Sequence, residues 1–478
     1  MSLSSVLYTA QSSLANTSRQ TSVVSRNITN VYNTDYTRRD AMLISTAPGA
    51  RVVSITRAAD AALMRQNTNA LSAWHAQSTL MAGFERLSVT VNGVDNATSP
   101  AMRMGALQTA LQTYSASPGD RSLAQAAVNA AEDVVRSLNE GSAAVQQLRS
   151  DADLEIKQSV DRLNTLLNDL EKVNGDVVTA TRLKRDASEA LDQRDAIVKQ
   201  IAEIVPVTTH VHGDNDMVVF SRDGITLFET VARQASYEPT PIHAPGTGGN
   251  QVFIEGVQLA SGTGSDTDAG GSLGALIQLR DEIAPKMQEQ LDEIARGLID
   301  GFKEFDATSE IAGLFTWPGN ATLAEGEIPT DLTVGLAGLV QINTAYRDNP
   351  LALRDGATID ANPDNNAGYA GQVQRFIDMF AAERSFAPGT GVEGATSLSA
   401  FATGSISWLE DGRQLSSVAT EKKAAMLART SEALSNKTGV NMDEELARLL
   451  DLEQSYAASA KLLQVVNEML ATLMATVR

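Results

Sequence analysis

Proline placement is the tightest constraint on this chain. All thirteen prolines of its 478 residues lie between Pro48 and Pro388; none interrupts 119–205, and none follows Pro388. A proline inside a helix costs about 3 kcal/mol, so the two long proline-free stretches are where long helices can form. The first stretch has the matching pattern. Ile156, Val160, Leu163, Leu167, Leu170 and Val177 recur three and four apart with one skipped turn, which predicts one apolar helical face. Asp120 or Ser122, after the turn Ser117-Pro118-Gly119, is the expected N-cap.

Between the helical flanks the chain changes character. Val207–His212 and Met217–Phe220 flank Gly213-Asp214-Asn215-Asp216, a hairpin signal, and Gln251–Ile254 reads as another strand. Gly262–Gly271 reads as a flexible link. A helical stretch from Leu273 to about Phe305 follows, then an irregular, strand-containing region to about Gly371. From Gln372 onward the pattern is helical again, apart from a loop around Pro388. The expected fold class is mainly α with a β insertion, discontinuous and multidomain: terminal helices paired as a coiled coil, a long-helix bundle and a β-rich outer domain. The expected boundaries are 1–35 with 440–478 for the terminal helices, 36–205 with 272–309 and 371–439 for the bundle, and 206–271 with 310–370 for the β-rich part.

The two ends carry the clearest periodicity. Leu3, Leu7, Ala10, Leu14, Thr17, Thr21, Val24, Ile28 and Val31 step by four and three. Met442, Leu449, Tyr456, Leu463, Leu470 and Val477 recur every seven, supplemented by Leu446, Leu452, Val466 and Leu473. Burying a large aliphatic contributes roughly 1.5–3 kcal/mol, whereas ordering a backbone costs about 1–2 kcal/mol per residue, so neither seam is expected to hold a helix alone. Charge favours pairing the ends. Residues 1–33 carry Arg19 and Arg26 and no acid, whereas 440–478 carry six acids against Arg448, Lys461 and Arg478. Two readings stay open at this level. The ends complete a monomeric bundle, or they form an assembly rod ordered by neighbouring subunits; the small and polar Ala10, Thr17 and Thr21 in the seam favour the second.

Composition removes several function classes. The net charge of −20 repels phosphate backbones and anionic lipid, so nucleic-acid and membrane partners are not expected. With no cysteine there is no thiol catalysis and no Cys-based metal site. No run of about 18 apolar residues is present for a membrane span. Leu3–Leu14 is interrupted by Ser, Thr and Gln, with no cation before Arg19, so a secretory signal peptide is not expected.

Tests for chemistry give little. His210 and His212 share one strand face near Asp214 and Asp216, a conceivable metal site that ordinary strand alternation explains as well. Gly389-Thr390-Gly391-Val392-Glu393-Gly394 matches GxGxxG but follows Pro388 and a helical segment rather than a strand. Asp266–Asp268 has Gly271 at position six but Ile277 at twelve, and Asp360–Asp364 has Asn365 and Gly371 there, so neither joins the Gly to the Glu of a calcium loop and both read as turns. Arg194 and Asp195 read as a surface or interhelical ion pair, and Trp74, His75 and Trp408 as core or core-edge residues. No catalytic, cofactor-binding or metal residues are expected.

The segment Asn27-Ile28-Thr29-Asn30-Val31-Tyr32-Asn33-Thr34-Asp35-Tyr36-Thr37-Arg38 resembles the N-I-x-N-x-x-T-P-G-Y-x-R signature of the bacterial flagellar rod, hook and hook-associated axial proteins. Asn27, Ile28, Asn30, Tyr36 and Arg38 match; Thr34 and Asp35 replace the usual Pro and Gly, so a different turn is expected there. Ala190-Leu191-Asp192-Gln193-Arg194-Asp195, at the end of the long helix, resembles the L-D-Q-R-D element of the hook-associated protein 1 family. The segment Gly271–Glu282 resembles that family's G-x-L-x-x-L-x-x-x-R-D-E helix. Val440–Glu445 and Glu453–Ala460 resemble its V-N-x-D-E-E and Q-x-x-Y-x-A-x-A ending.

The resemblance implies a structural subunit, not an enzyme, with no cofactor. It implies export through the flagellar type III apparatus without a cleaved signal, and assembly as a ring between hook and filament. The implied partners are further copies of the chain, the hook protein, the second hook-associated junction protein and an export chaperone. The assembly interface it implies comprises Leu3, Leu7, Leu14, Val24, Asn27, Ile28, Asn30, Tyr36, Leu449, Tyr456, Leu463 and Leu470. The alternatives are another axial protein (the hook protein or the second junction protein) or, from a different class, a hydrolase or metal-binding module in the β insertion.

Overall fold

The computed structural model describes residues 3–46, 49–305 and 309–476. Helix accounts for 61% of the chain. The long helix forms where proline is absent: α4 runs from Arg121 to Arg182, about 93 Å at 1.5 Å per residue. Asp120 is its N-cap, accepting from the backbone N–H groups of Ser122 (2.8 Å) and Leu123 (3.4 Å). Before it come α1 (Leu3–Thr29), the strands β1 (Arg39–Ser45) and β2 (Ala50–Arg57), α2 (Ala61–Leu87) and α3 (Pro100–Ser115).

The proline-free stretch is not one helix. At 183–187 the chain reverses into α5 (Ser188–Ile204). Lys184 takes a left-handed conformation, and the Arg185 N–H closes onto the Ala180 carbonyl. Asp192 and its neighbours therefore lie on a separate helix, not at the end of the long one. No glycine or proline marks this break.

Seven antiparallel strands follow: β3 (Val207–Val211), β4 (Met217–Ser221), β5 (Thr226–Glu229) and β6 (Val231–Ala232) form one sheet, beginning with the expected hairpin. A smaller sheet joins β7 (Ala235–Ser236), β8 (Phe253–Ile254) and β9 (Val257–Gln258). The segment 262–271 is pinned rather than flexible. Thr267 is buried; its N–H donates to Gln77 Oε1 and its hydroxyl to Gln278 Oε1.

Next come α6 (Gly271–Gln278) and α7 (Ala284–Gly301), joined by one wide π turn, Leu279–Ile283. Pro285 explains the turn, because its ring lacks an N–H and crowds the carbonyl four residues earlier; the Ala284 N–H bonds Leu279 instead. Short ladders pair β10 (Glu304–Phe305) with β11 (Glu310–Ile311) and β12 (Phe315–Thr316) with β13 (Gln341–Ile342). Small helices α8 (Leu336–Leu339), α9 (Thr344–Asp348), α10 (Ala352–Asp355) and α11 (Gly371–Asp378) lie around them. The loop around Pro388 joins β14 (Glu383–Ser385) to β15 (Ala395–Ser397), and the chain ends in α12 (Leu398–Thr438) and α13 (Met442–Thr476).

Two apolar cores share α4. Its N-terminal half packs with α2, α3, α7 and the start of α12, and also with Trp317, Tyr346 and Leu353. Its C-terminal half, from Ala152 to Leu170, packs with α5, β3–β5 and Leu273, Leu276 and Ile277. The stretches 206–271 and 310–370, expected as one outer insertion, pack on different cores: Val219 and Phe228 cover one half of α4, Trp317 and Tyr346 the other.

Candidate assembly site at the base of the terminal helices

Helices α1 and α13 lie antiparallel: the Ser13 and Ser459 hydroxyls are 2.8 Å apart, and Asn27 meets Glu445 in the same register. Ala10, Thr17 and Val24 of the expected seam are buried, while Leu3, Leu7, Leu14 and Ile28 are half-buried and Val31 lies beyond the helix end. A second row, Asn16 and Val23, is also buried; Asn16 bonds the β2 backbone at Ala50 and Val52. The β1–β2 hairpin, which the sequence reading missed, thus covers one side of α1. On α13 the buried residues are Glu445, Ser459 and Val466, again near-heptad but offset by three from the expected row. Within that expected row Leu449 and Leu463 are half-buried, Tyr456 and Leu470 are exposed, and Val477 lies outside the described residues.

Charge does not pair the two helices in the way expected. Arg19 and Arg26 are exposed and make no ion pair within the described residues. The acids near the start of α13 find partners after α1 instead: Arg38 lies 3.5 Å from Glu444, and Arg448 reaches back 2.7 Å to Asp40.

Asn27 is fully enclosed by its own chain and uses its whole amide. Its Nδ2 donates to the Arg39 carbonyl (2.9 Å) and to Glu445 Oε2 (3.0 Å). Its Oδ1 accepts from the Tyr36 hydroxyl (2.8 Å) and the Arg39 N–H (3.1 Å). Burial raises the Tyr36 pKa, so the phenol keeps the proton it donates. Asn33 shapes the turn that brings Tyr36 here; its side chain accepts from the Asp35 N–H, standing in for the family's Pro-Gly turn. Asn30 is half-buried and donates to the Arg26 carbonyl of its own helix.

Directly below, β1 and β2 place Arg39 opposite Arg57. Two like charges facing each other across strands repel, and the site needs an anion. Asp192 of α5 supplies it, accepting from Arg39 (3.2 Å), Arg57 (3.0 Å) and the Thr37 hydroxyl. Asp195 takes the other Arg57 nitrogen at 2.5 Å. Burial works against the Arg57 charge, but Asp195 and Asp192 outweigh it and hold its pKa above the ordinary value. Arg194 is not paired with Asp195: it is buried and donates to Asn174 and to the Asn215 carbonyl. The opposed arginines were the sequence signal for this cluster, legible only once the hairpin register is known.

The remaining candidates disperse. His210 and His212 are exposed; Asp214 pairs with Arg182, and Asp216 accepts from Asn174. Among the described residues no three His, Asp or Glu side chains gather as metal ligands. Trp74 and His75 stack edge-on, half-buried, and Trp408 is half-buried beside Gly391. Arg280, in the π turn, is fully buried and ties α4 to the smaller sheet: it donates to Asp153 (2.9 Å), the Tyr237 hydroxyl and the Asn250 carbonyl. A side chain at Gly249 would come within 2.2 Å of its Nε, so a larger residue there displaces the guanidinium. No helix among the described residues is long and apolar enough to cross a membrane.

The three sequence elements around Asn27, Asp192 and Glu445 therefore meet at one place. The comparisons agree with what they indicate. Residues 85–309 match the family model described as the flagellar hook-associated protein FlgK helical domain, and 432–476 match that of the flagellar basal body rod FlgEFG protein C-terminal region. Flagellar hook-associated protein 1 of Escherichia coli (strain K12) is 24% identical over 97% of this chain and 98% of its own length. These matches support identification with flagellar hook-associated protein 1. Another hook-associated protein 1, from Salmonella typhimurium (strain LT2), is 25% identical over 72% of this chain and 64% of its own. A solved structure, the flagellar hook junction protein FlgK from Burkholderia pseudomallei, matches 53% of this chain and 46% of its own with TM-score 0.42 and 19% identity. Hook-associated protein 1 is a structural flagellar family, not a known enzyme family.

Proposed function

We propose that this chain is a structural subunit of the junction ring between flagellar hook and filament, built through its terminal helices. One observation carries the reading. Along α13, Leu446, Leu450, Tyr456, Leu462, Val465, Met469 and Leu473 remain exposed, 44–60% of each, while the base of the helix is fixed by Asn27 and Arg38. A long helix that is held at one end by its own chain and leaves apolar side chains exposed round most of its girth offers surface to neighbours. In this reading 1–35 with 440–478 form the inner tube as a coiled coil, 36–205 with 272–309 and 371–439 form the shell, and the β-containing stretches face outward. The subunit is exported through the type III apparatus with a chaperone, and contacts further copies, the hook protein and the second junction protein.

Hydrogen exchange on the purified monomer and on the assembled junction tests it. Peptides from 3–29 and 442–476 are expected to exchange fast in the monomer, where they differ sharply from α4, and to become protected on assembly. Equal protection of α4 and α13 in the monomer overturns the reading.

A further inference from the structure

We infer that Asn27 and Glu445 form a register lock, which selects one antiparallel alignment of α1 and α13 from several that the apolar contacts accept. The inference concerns pairing inside one chain and holds whether or not that chain enters a ring.

The apolar contacts alone do not choose. The buried residues of α1 facing α13 are small or β-branched (Ala10, Thr17, Val24), and α13 repeats its apolar residues every seven. A slip of one heptad exchanges one such contact for a near equivalent. The polar contact has no equivalent. Glu445 is fully buried; its Oε2 accepts from Asn27 at 3.0 Å, and its Oε1 has no hydrogen bond, only Arg448 at 3.6 Å. A slip one way sets Asn27 against Leu452; a slip the other way carries Asn27 past the start of α13. Either strands a buried amide N–H and removes the one hydrogen bond to a buried carboxylate.

The lock is held from outside the pair. The Asn27 amide is oriented by Tyr36 and by both backbone groups of Arg39, and Arg39 is anchored to Asp192 on α5. The body thus fixes the amide that fixes the terminal pair. Asn27 and Glu445 are positioning residues.

The chain has no cysteine, so engineered thiols report alignment cleanly. Ser13→Cys with Ser459→Cys reports the native register, since those hydroxyls are 2.8 Å apart. Gln20→Cys or Val6→Cys with Ser459→Cys reports a slip of one heptad either way. Oxidation of the dilute full-length monomer is expected to link mainly the native pair. In Glu445→Leu the native link should fall about tenfold while a slipped link rises, the effect of losing one hydrogen bond to a buried carboxylate. Glu445→Gln, which keeps an acceptor of the same shape, should retain the native link. Asn27→Ala repeats the measurement should Glu445→Leu not fold. An unchanged native link in the folded variant overturns the proposal. So does an equal loss of all three links, which a merely stabilising contact would give.

Discussion

The body and the terminal pair use similar residues to opposite ends. In the body, Leu107, Leu111, Val134, Leu138 and Leu291 are wholly hidden, each answered by another part of the same chain. On α13 the fully or nearly hidden residues are Glu445, Ser459 and Val466, while leucines, a tyrosine and methionines face out. Both carry a regular apolar repeat, but α4 gathers its apolar residues on one side whereas α13 has further ones all round. What also differs is how many elements surround each helix: α4 is wrapped along its whole length, whereas α13 touches chiefly α1. An apolar repeat in sequence therefore reports that a face must be covered, not that its own chain covers it.

The comparison can be broken most directly in the body. Leu291→Ala should destabilise the folded chain by roughly 2–5 kcal/mol, because Leu291 fills space between α7 and α4; urea unfolding followed by circular dichroism measures it. Asp292 sharpens the contrast through pH. Burial pushes its pKa up to about 6, against the backbone N–H groups of Gly335 and Ala337 and the amide of Gln288 that favour its charge. A raised pKa means that the folded state binds the proton more tightly. Its contribution is complete below about pH 4 and is lost as pH rises through about 6, on the order of 3 kcal/mol. In Asp292→Asn the difference in urea midpoint between pH 4 and pH 7 should shrink accordingly; an unchanged difference would remove Asp292 as its source.

At the base of the terminal helices, Asp192→Asn should weaken the body's hold by about 1–3 kcal/mol, since Arg39 faces Arg57 with one anion fewer. Hydrogen exchange at 37–40 and 188–195 should speed up, with α3 and α7 unmoved. Leu470→Asp should change monomer stability least, by about 0.5 kcal/mol or less, since that side chain is already exposed. Its consequence belongs to assembly: incorporation into hook–filament junctions should be abolished, and normal motility would count against the terminal helices as the assembly face.

Much of this arrangement was legible from residues. Proline spacing located α4, α12 and α13, Asp120 was one of the two residues expected to cap α4, and the β3–β4 hairpin followed from its flanking strands and polar turn. The break at 183–187 was not, because Lys184 rather than a glycine takes the left-handed position, while Gly141 and Gly175 sit inside the unbroken helix. The β1–β2 hairpin was missed behind the attention its preceding signature draws, and with it Arg39 and Arg57. The meeting of Asn27, Asp192 and Glu445 could not be read from spacing: they are separated by more than a hundred residues, and only the fold brings them together.

Because α4 runs through both cores without interruption, neither half of the body is a separable fragment. Cutting the chain near Arg149 would leave each piece with half an apolar stripe exposed, and limited proteolysis should yield trimmed ends rather than two stable parts. The same continuity makes the shaft stiff: a push or twist applied at one core reaches the other through an unbroken ladder of backbone hydrogen bonds.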